Sequence, residues 1–308
     1  MKAVRIDQYG DESVLQVVEV DKPQPASDQV LIKVCAASVN PVDWKIRDGA
    51  GARFGMSLPI FLGSEMAGIV EKVGDKVTDL RVGDEVYGMV KAGAYAQYVL
   101  ANPDEVAIKP ANLDFPHAAA IPLAALTAWQ AMFDIGKLSA GQKILITAAA
   151  GGVGSLAVQL AKAKGAIVTG MASSQNEAFV RVLGADDFVD YTKQSFDEVV
   201  TDMDVVFDAV GGDTFERAFK CVKQGGYLVT SVAFPTDEQG ARYGVSALRV
   251  LCKPDRDELD EISRLVVANQ LKPYVSQVFP LEQVGAAHQL SKQGRTRGKI
   301  ILHVDIRG

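Results

Sequence analysis

The sequence predicts an α/β protein: a doubly wound parallel-sheet domain joined to a β-rich domain. Three observations predict it. The first hundred residues are short β-branched runs punctuated by Gly, Pro and Asp. From Lys143 the rhythm becomes strand, helix, strand, helix, the pattern of a parallel sheet covered by helices. A tail after Asp257 returns to strand-like runs and is expected to rejoin the β-rich part. The division expected is 1–118 with 272–308 for the β-rich domain and 119–271 for the parallel sheet.

In the β-rich part, Val14 to Val20 and Val30 to Cys35 are separated by Lys22-Pro23-Gln24-Pro25 and Ser27-Asp28. Ile69 to Val73 alternates and turns at Gly74-Asp75; Gly83 to Gly88 and Tyr95 to Leu100 follow. Many short strands with regular turns suggest a compact barrel-like domain. His117 to Phe133 is rich in Ala and Leu and reads as helix. The strands expected next are Lys143–Thr147, Ala166–Met171, Val205–Asp208 and Gly226–Ser231, with a helix from Val153 to Lys164 that stops at Gly165. In the tail, Asp257 to Asn269 places Leu259, Ile262, Leu265 and Val266 on one helix face. Val275 to Phe279 and Lys299 to Val304 read as strands, Val284 to Lys292 as helix.

Bulk properties exclude several classes. A chain of 308 residues, 48% hydrophobic, can bury more than one core. A formal net charge of −6 without a basic tract argues against nucleic acid or an anionic membrane as main partner. The apolar stretch from Ala118 to Met132 is interrupted by Pro122, Thr127 and Gln130 and reads as too short for a bilayer span. The N-terminus carries charges where a leader needs an apolar core, so the expected location is cytoplasmic. Cys35, Cys221 and Cys252 lie far apart and read as small buried hydrophobes, not as a disulfide framework or zinc site.

The most informative segment is Ile144 to Gly154: a buried strand, a glycine-rich turn, then a helix. On the GxGxxG pattern the three positions are Ala149, Gly151 and Gly154. Gly151 lets the main chain approach a pyrophosphate, and Gly154 lets helix and strand pack closely. Ala150, Gly151, Gly152, Val153 and Gly154 are therefore candidate cofactor-binding residues, with the first helical amides as anion donors. Ala149 departs from the pattern, so an L-residue must tolerate that turn. The alternative is a tight turn in another doubly wound fold.

Which dinucleotide binds is decided at the end of the second strand. An Asp or Glu about 20 residues after the turn would bond a ribose 2′-hydroxyl. Here the chain reads Gly170-Met171-Ala172-Ser173-Ser174-Gln175-Asn176, with no carboxylate before Glu177. Ser hydroxyls can donate to a 2′-phosphate, so NADP(H) is the expected cofactor. Ser173 and Ser174 are the candidates, with a helix N-cap as their alternative role. Lys193, beside Tyr191, is a candidate counter-charge. Val210 and Gly211, and Val232 and Ala233, follow the next two strands, where ligands bind in such sheets.

Further segments carry a resemblance: Val34 to Lys45, Gly63-Ser64-Glu65-Met66-Ala67-Gly68, Val82 to Gly88, Gly93 to Val99, Ala148 to Gly154 and Arg297 to Leu302. In this order they resemble the quinone/enone oxidoreductase branch of the medium-chain dehydrogenase/reductases, over nearly the whole chain. The resemblance implies a Rossmann domain, a discontinuous GroES-like catalytic domain, and a cleft between them for nicotinamide and substrate. It also implies that the positions holding zinc in the alcohol dehydrogenases are here Asn40, Ser64 and Leu123. Leu cannot ligate zinc, and Asn and Ser are poor ligands for it. Only six residues, none of them Cys, separate Gly88 from Tyr95, so the lobe of structural-zinc cysteines is missing. No metal is therefore expected. His117, His288 and His303 read as structural or surface residues.

Without metal, alcohol oxidation lacks its usual Lewis acid. Hydride addition to an alkene conjugated with a carbonyl, or to a quinone, needs only hydrogen-bond donors for the charge that gathers on oxygen. The expected activity is NADPH-dependent reduction of such small molecules. Alternatives are an acrylyl-thioester or other activated-alkene reductase, and a low-turnover NADPH-binding sensor. Asn40 is the first candidate for a residue beside nicotinamide or substrate, with an Asn-Pro turn as the alternative. Asp43 is the second, with a capping role as its alternative. Trp44 and Tyr95 are candidates for the cleft wall or for core packing. The resemblance points to Thr127 near the nicotinamide or phosphates and to Tyr191 near the adenosine phosphate. Arg297 and Lys299 are candidates to reach the cofactor from the tail, with a surface salt bridge as the alternative. A homodimer through an edge strand at Val245–Leu251 is a candidate assembly.

Overall fold

In the computed structural model, which describes residues 1–304, the chain divides into two compact units. The first comprises Met1–Leu123, Pro254–Val267 and the chain from Pro273; the second comprises Ala124–Lys253 and Ala268–Lys272.

The first unit is built on two sheets. Lys2–Ile6 pairs antiparallel with Gln16–Glu19 on one side and Ile60–Phe61 on the other. The larger sheet runs Val275–Pro280, Lys299–His303, Val30–Val39, Glu65–Val73, Glu85–Met89 and Val106–Ile108, with Tyr98–Ala101 also pairing Val30–Val39. Val30–Val39 is buried on both faces except at Lys33, which explains its near-continuous apolar run. Two register shifts against Glu65–Val73 bend it. The tail does rejoin this sheet: Ile300 pairs with Val39 and His303 with Ala36. The run expected at Val14 to Val20 is a short turn at Glu12–Val14 followed by the strand Gln16–Glu19. The helix Arg256–Val267 buries Leu259, Ile262, Leu265 and Val266, the face its periodicity predicts. Tyr87 Oη donates to the Leu259 carbonyl at 2.8 Å.

The second unit holds six parallel strands in the order Asp187–Asp190, Ile167–Ala172, Lys143–Ile146, Met203–Asp208, Val222–Thr230, Ser246–Arg249. In chain order this is 3-2-1-4-5-6, the doubly wound arrangement, whose order reverses between Lys143–Ile146 and Met203–Asp208. The strand Asp187–Asp190 was not expected from sequence, being four residues with polar ends. The helix Gly152–Ala163 packs Leu156, Ala157, Val158, Leu160 and Ala161 inward.

The single helix expected from His117 to Phe133 is broken. It runs Phe115–Ala119, then Pro122–Trp129, then a wide π-type turn at Gln130–Ile135. Pro122 has no N–H for the helical ladder. Together Phe115–Ile135 is nevertheless long and apolar enough to cross a membrane, which corrects the sequence reading; 72% of its most apolar window is buried inside the protein, as in a core helix. Cys35 and Cys221 are buried as expected, with burial pushing their thiols up to about 11 and about 12. Cys252 is only half-buried.

Candidate functional site

In the first unit a set of polar side chains is enclosed where three elements meet: the end of Val30–Val39, the start of Glu65–Val73 and the tail strand. Lys299 is 4% exposed and Glu65 fully buried. The Lys299 ammonium donates to Glu65 Oε1 at 2.6 Å and to Asn40 Oδ1 at 2.5 Å. Asn40 Nδ2 donates to Glu65 Oε1 at 2.8 Å and to the Ser38 carbonyl at 3.4 Å. The other Glu65 oxygen accepts the Leu123 N–H at 2.8 Å. Lys299 thus serves a buried ion pair, which corrects the surface salt bridge weighed as its alternative role.

Asn40 also begins a helix, Pro41–Arg47. Its N–H donates to Asp43 Oδ2 at 2.7 Å, so Asp43 takes the capping role. Tyr95 Oη donates to the same oxygen at 2.6 Å. Asp43 Oδ1 has no hydrogen-bond partner. Burial, chiefly, raises the Asp43 carboxyl to about 6; the Tyr95 and Asn40 hydrogen bonds oppose it. The Tyr95 phenol is raised well above its ordinary value by burial and then by the Asp43 charge. Tyr95 is fully enclosed in the first unit's core, so the core-packing alternative holds and the cleft-wall expectation is corrected. Its ring stands edge-on to His288, 6.0 Å between centroids. His288 is lowered to about 3 by burial and the neighbouring Arg47 charge, and stays neutral. Trp44 is half-buried, with an unpartnered indole Nε1 and with Lys45 and Lys292 over its ring. Arg297 is half-buried.

The second unit carries the glycine-rich turn. The unusual backbone falls on Ala148, with φ of 50°; an L-residue bears it at a cost of about 1 kcal/mol. Gly151 N–H donates to the Ala148 carbonyl at 2.8 Å. A Cβ on Gly154 would lie 2.2 Å from that carbonyl oxygen, so only glycine lets the helix pack there. A Cβ on Gly151 would meet one atom, at 3.2 Å, so its outer side is open to a ligand. Gly152, Val153 and Gly154 are the first helical residues, whose amides have no intrahelical acceptor. This cradle fits a pyrophosphate.

At the carboxyl ends of the central strands sits a residue the sequence reading did not single out. Asp208 is fully buried. It accepts Thr230 Oγ1 at 2.8 Å, Thr147 Oγ1 at 3.2 Å, and the N–H groups of Val210 and Gly211 at 3.1 Å. Thr230 Oγ1 in turn accepts the N–H groups of Val232 and Ala233 at 3.2 and 3.1 Å. The four cofactor candidates on these loops are thus held from one carboxylate. A polar residue ending the apolar run Val205-Val206-Phe207 was the signal. Thr127 is buried on the helix Pro122–Trp129.

Ser174 Oγ donates to Asp190 Oδ2, and Lys193 Nζ lies 3.4 Å from the same oxygen. Ser173 Oγ accepts Asn176 Nδ2 at 3.1 Å, and Tyr191 is 56% exposed. A carboxylate therefore stands among the 2′-phosphate candidates, brought there by the neighbouring strand. Nothing along Ile167–Ala172 itself announces it, because Asp190 stands opposite Ala172 on a strand paired through space.

Two family profiles match the chain: "Alcohol dehydrogenase GroES-like domain" over residues 26–111 and "Zinc-binding dehydrogenase" over 183–302. A 2-methylene-furan-3-one reductase of Solanum lycopersicum is 37% identical, covering 98% of this chain and 79% of its own. The NADPH-dependent alkenal/one oxidoreductase of Arabidopsis thaliana matches with the same identity and coverage. The chain belongs to the medium-chain dehydrogenase/reductases, in the quinone and enone oxidoreductase branch. Among solved structures, the quinone oxidoreductase of Coxiella burnetii superposes with a TM-score of 0.92 at 36% identity, covering 99% of both chains.

The zinc in one profile's description does not fit this member. Asn40 and the Leu123 backbone do converge, on Glu65, but with an ammonium between Asn40 and Glu65 and no thiolate or imidazole ligand. A divalent cation there would meet the like charge of Lys299. Among the described residues no group of three or more His, Cys, Asp or Glu could hold a metal.

Proposed function

We propose that the protein is an NADPH-dependent, metal-independent reductase of quinones and α,β-unsaturated carbonyl compounds. The observation that carries the reading is Lys299, whose buried ammonium joins Asn40 to Glu65 where metal-dependent relatives need ligands. The activities of the furanone reductase and the alkenal/one oxidoreductase that the chain resembles supply the substrate class. NADPH, when bound, supplies the hydride.

The chain's own residues do the rest. The turn Ala150–Gly154 offers open backbone and helical amides to the pyrophosphate. Ser173, Tyr191 and Lys193 are assigned to the ribose phosphate, with Ser174 bonded to Asp190 beside them. Asp208 fixes Val210–Gly211 and Val232–Ala233 beside the point where strand order reverses, the preferred ligand position in such sheets. A conjugated carbonyl needs neutral or cationic donors as its oxygen gains charge, and the Lys299 set provides positive charge without a Lewis acid. We also propose a homodimer paired along Ser246–Arg249, an edge strand with Leu248 and the following Leu251 exposed.

The test is loss of NADPH absorbance with a panel of quinones, enones and acrylyl-CoA, before and after exhaustive chelation. Turnover of quinones or enones that survives chelation is expected. Tight NADPH binding with no turnover on any acceptor would favour a sensor, and turnover that chelation abolishes would overturn the metal-independent reading.

A further inference from the structure

We infer that Asp190 sets the balance between the two nicotinamide coenzymes, holding down the preference for the phosphorylated one. The inference rests on the dinucleotide reading above and goes beyond it.

The strands Ile167–Ala172 and Asp187–Asp190 are parallel neighbours with Ala172 opposite Asp190. Both end at the same edge, where a coenzyme's ribose is read. The Asp190 side chain is fully engaged there. Oδ1 accepts the Thr192 N–H at 3.0 Å and the Thr192 hydroxyl at 2.6 Å. Oδ2 accepts the Ser174 hydroxyl and faces the Lys193 ammonium at 3.4 Å. These hydrogen bonds, Ser174's foremost, hold the carboxyl below the usual carboxylate range, so it is ionised wherever the enzyme works.

Three consequences share one sign. A hydroxyl has a single proton. Ser174 commits its one O–H to a hydrogen bond with Asp190 and so presents lone pairs, which suit a 2′-hydroxyl and not a phosphate. Lys193 is partly neutralised before any ligand arrives. The carboxylate adds a negative charge beside the seat of a dianionic phosphate. Each raises the cost of the 2′-phosphate relative to a free hydroxyl, so NADH is tolerated more than Ser174 and Lys193 by themselves would allow.

The experiment compares dissociation constants for NADPH and NADH, by nicotinamide fluorescence titration, in the unmodified protein, Asp190→Asn and Ser174→Ala. Asn keeps an Oδ1 acceptor for the Thr192 N–H, so the turn is preserved. Asp190→Asn should raise the ratio of NADH to NADPH dissociation constants by about tenfold, less in high salt. Ser174→Ala should weaken NADH and leave NADPH unchanged, because its hydroxyl does not serve the phosphate. An unmoved ratio in Asp190→Asn, or a large loss of NADPH affinity in Ser174→Ala, would overturn the inference while leaving the dinucleotide site standing. Failure of the unmodified protein to bind either coenzyme would instead remove the dinucleotide reading.

Discussion

Lys299→Met is the perturbation that bears most directly on the metal-independent reading. An exposed ion pair contributes at most about 1 kcal/mol. Here the two side chains are 5% and 0% exposed, and the substitution would leave a buried carboxylate without its cation, a loss usually of about 3–5 kcal/mol. Glu65 would keep two donors, Asn40 Nδ2 and the Leu123 N–H, both at 2.8 Å. The expected loss is therefore near the lower end, about 3 kcal/mol. Glu65→Gln should cost about 2 kcal/mol or more, since the ammonium then faces only neutral oxygens. The double variant should recover at least about 1–2 kcal/mol of the summed losses, because neither charge is stranded. Urea unfolding followed by circular dichroism measures all three. Strictly additive losses, or a Lys299→Met protein within about 0.5 kcal/mol of the original, would show that the pair is not the internal cation site described here.

Two further variants test other parts, one in each unit. Asp43 holds its proton to about pH 6 in the folded chain but releases it near 3.9 when unfolded. Stability therefore falls as pH rises through that window, by about 3 kcal/mol in total. Tyr95→Phe removes a donor to the charged form, so its cost should be about 1.5–3 kcal/mol at pH 8 and much smaller at pH 5; equal losses in urea at both pH values would refute the pairing. Gly154→Ala places a methyl 2.2 Å from the Ala148 carbonyl oxygen, and the forced shift of the turn should weaken NADPH by more than about tenfold; an unchanged dissociation constant would remove the turn from the binding site.

The parts of the fold that were legible in sequence are those whose signal is local. Leu259, Ile262, Leu265 and Val266 announce their helix by spacing, and their burial follows. The strand before Gly151 and the helix after it are fixed by neighbouring residues. The crossings between units are not local: Pro254–Val267 belongs to the first unit and Ala268–Lys272 to the second, and nothing in this short stretch marks either passage. Asp187–Asp190 is likewise a strand because of its partner Ile167–Ala172 and not because of its own residues.

The candidate site divides along the same line. Ala150–Gly154 was readable because a phosphate cradle is made of consecutive backbone. The charged sets were not, because each is assembled from positions far apart in sequence. Glu65 lies among apolar neighbours, and a carboxylate in a buried strand must have a partner; that much is visible in one dimension. Which partner it has is not, since Lys299 comes from 234 residues away. Asn40 was singled out for its place in a family pattern, and as a donor to substrate. In the fold both Asn40 Nδ2 bonds go to protein oxygens and its Oδ1 faces an ammonium. Asn40 therefore orients Lys299 and Glu65 within the buried set.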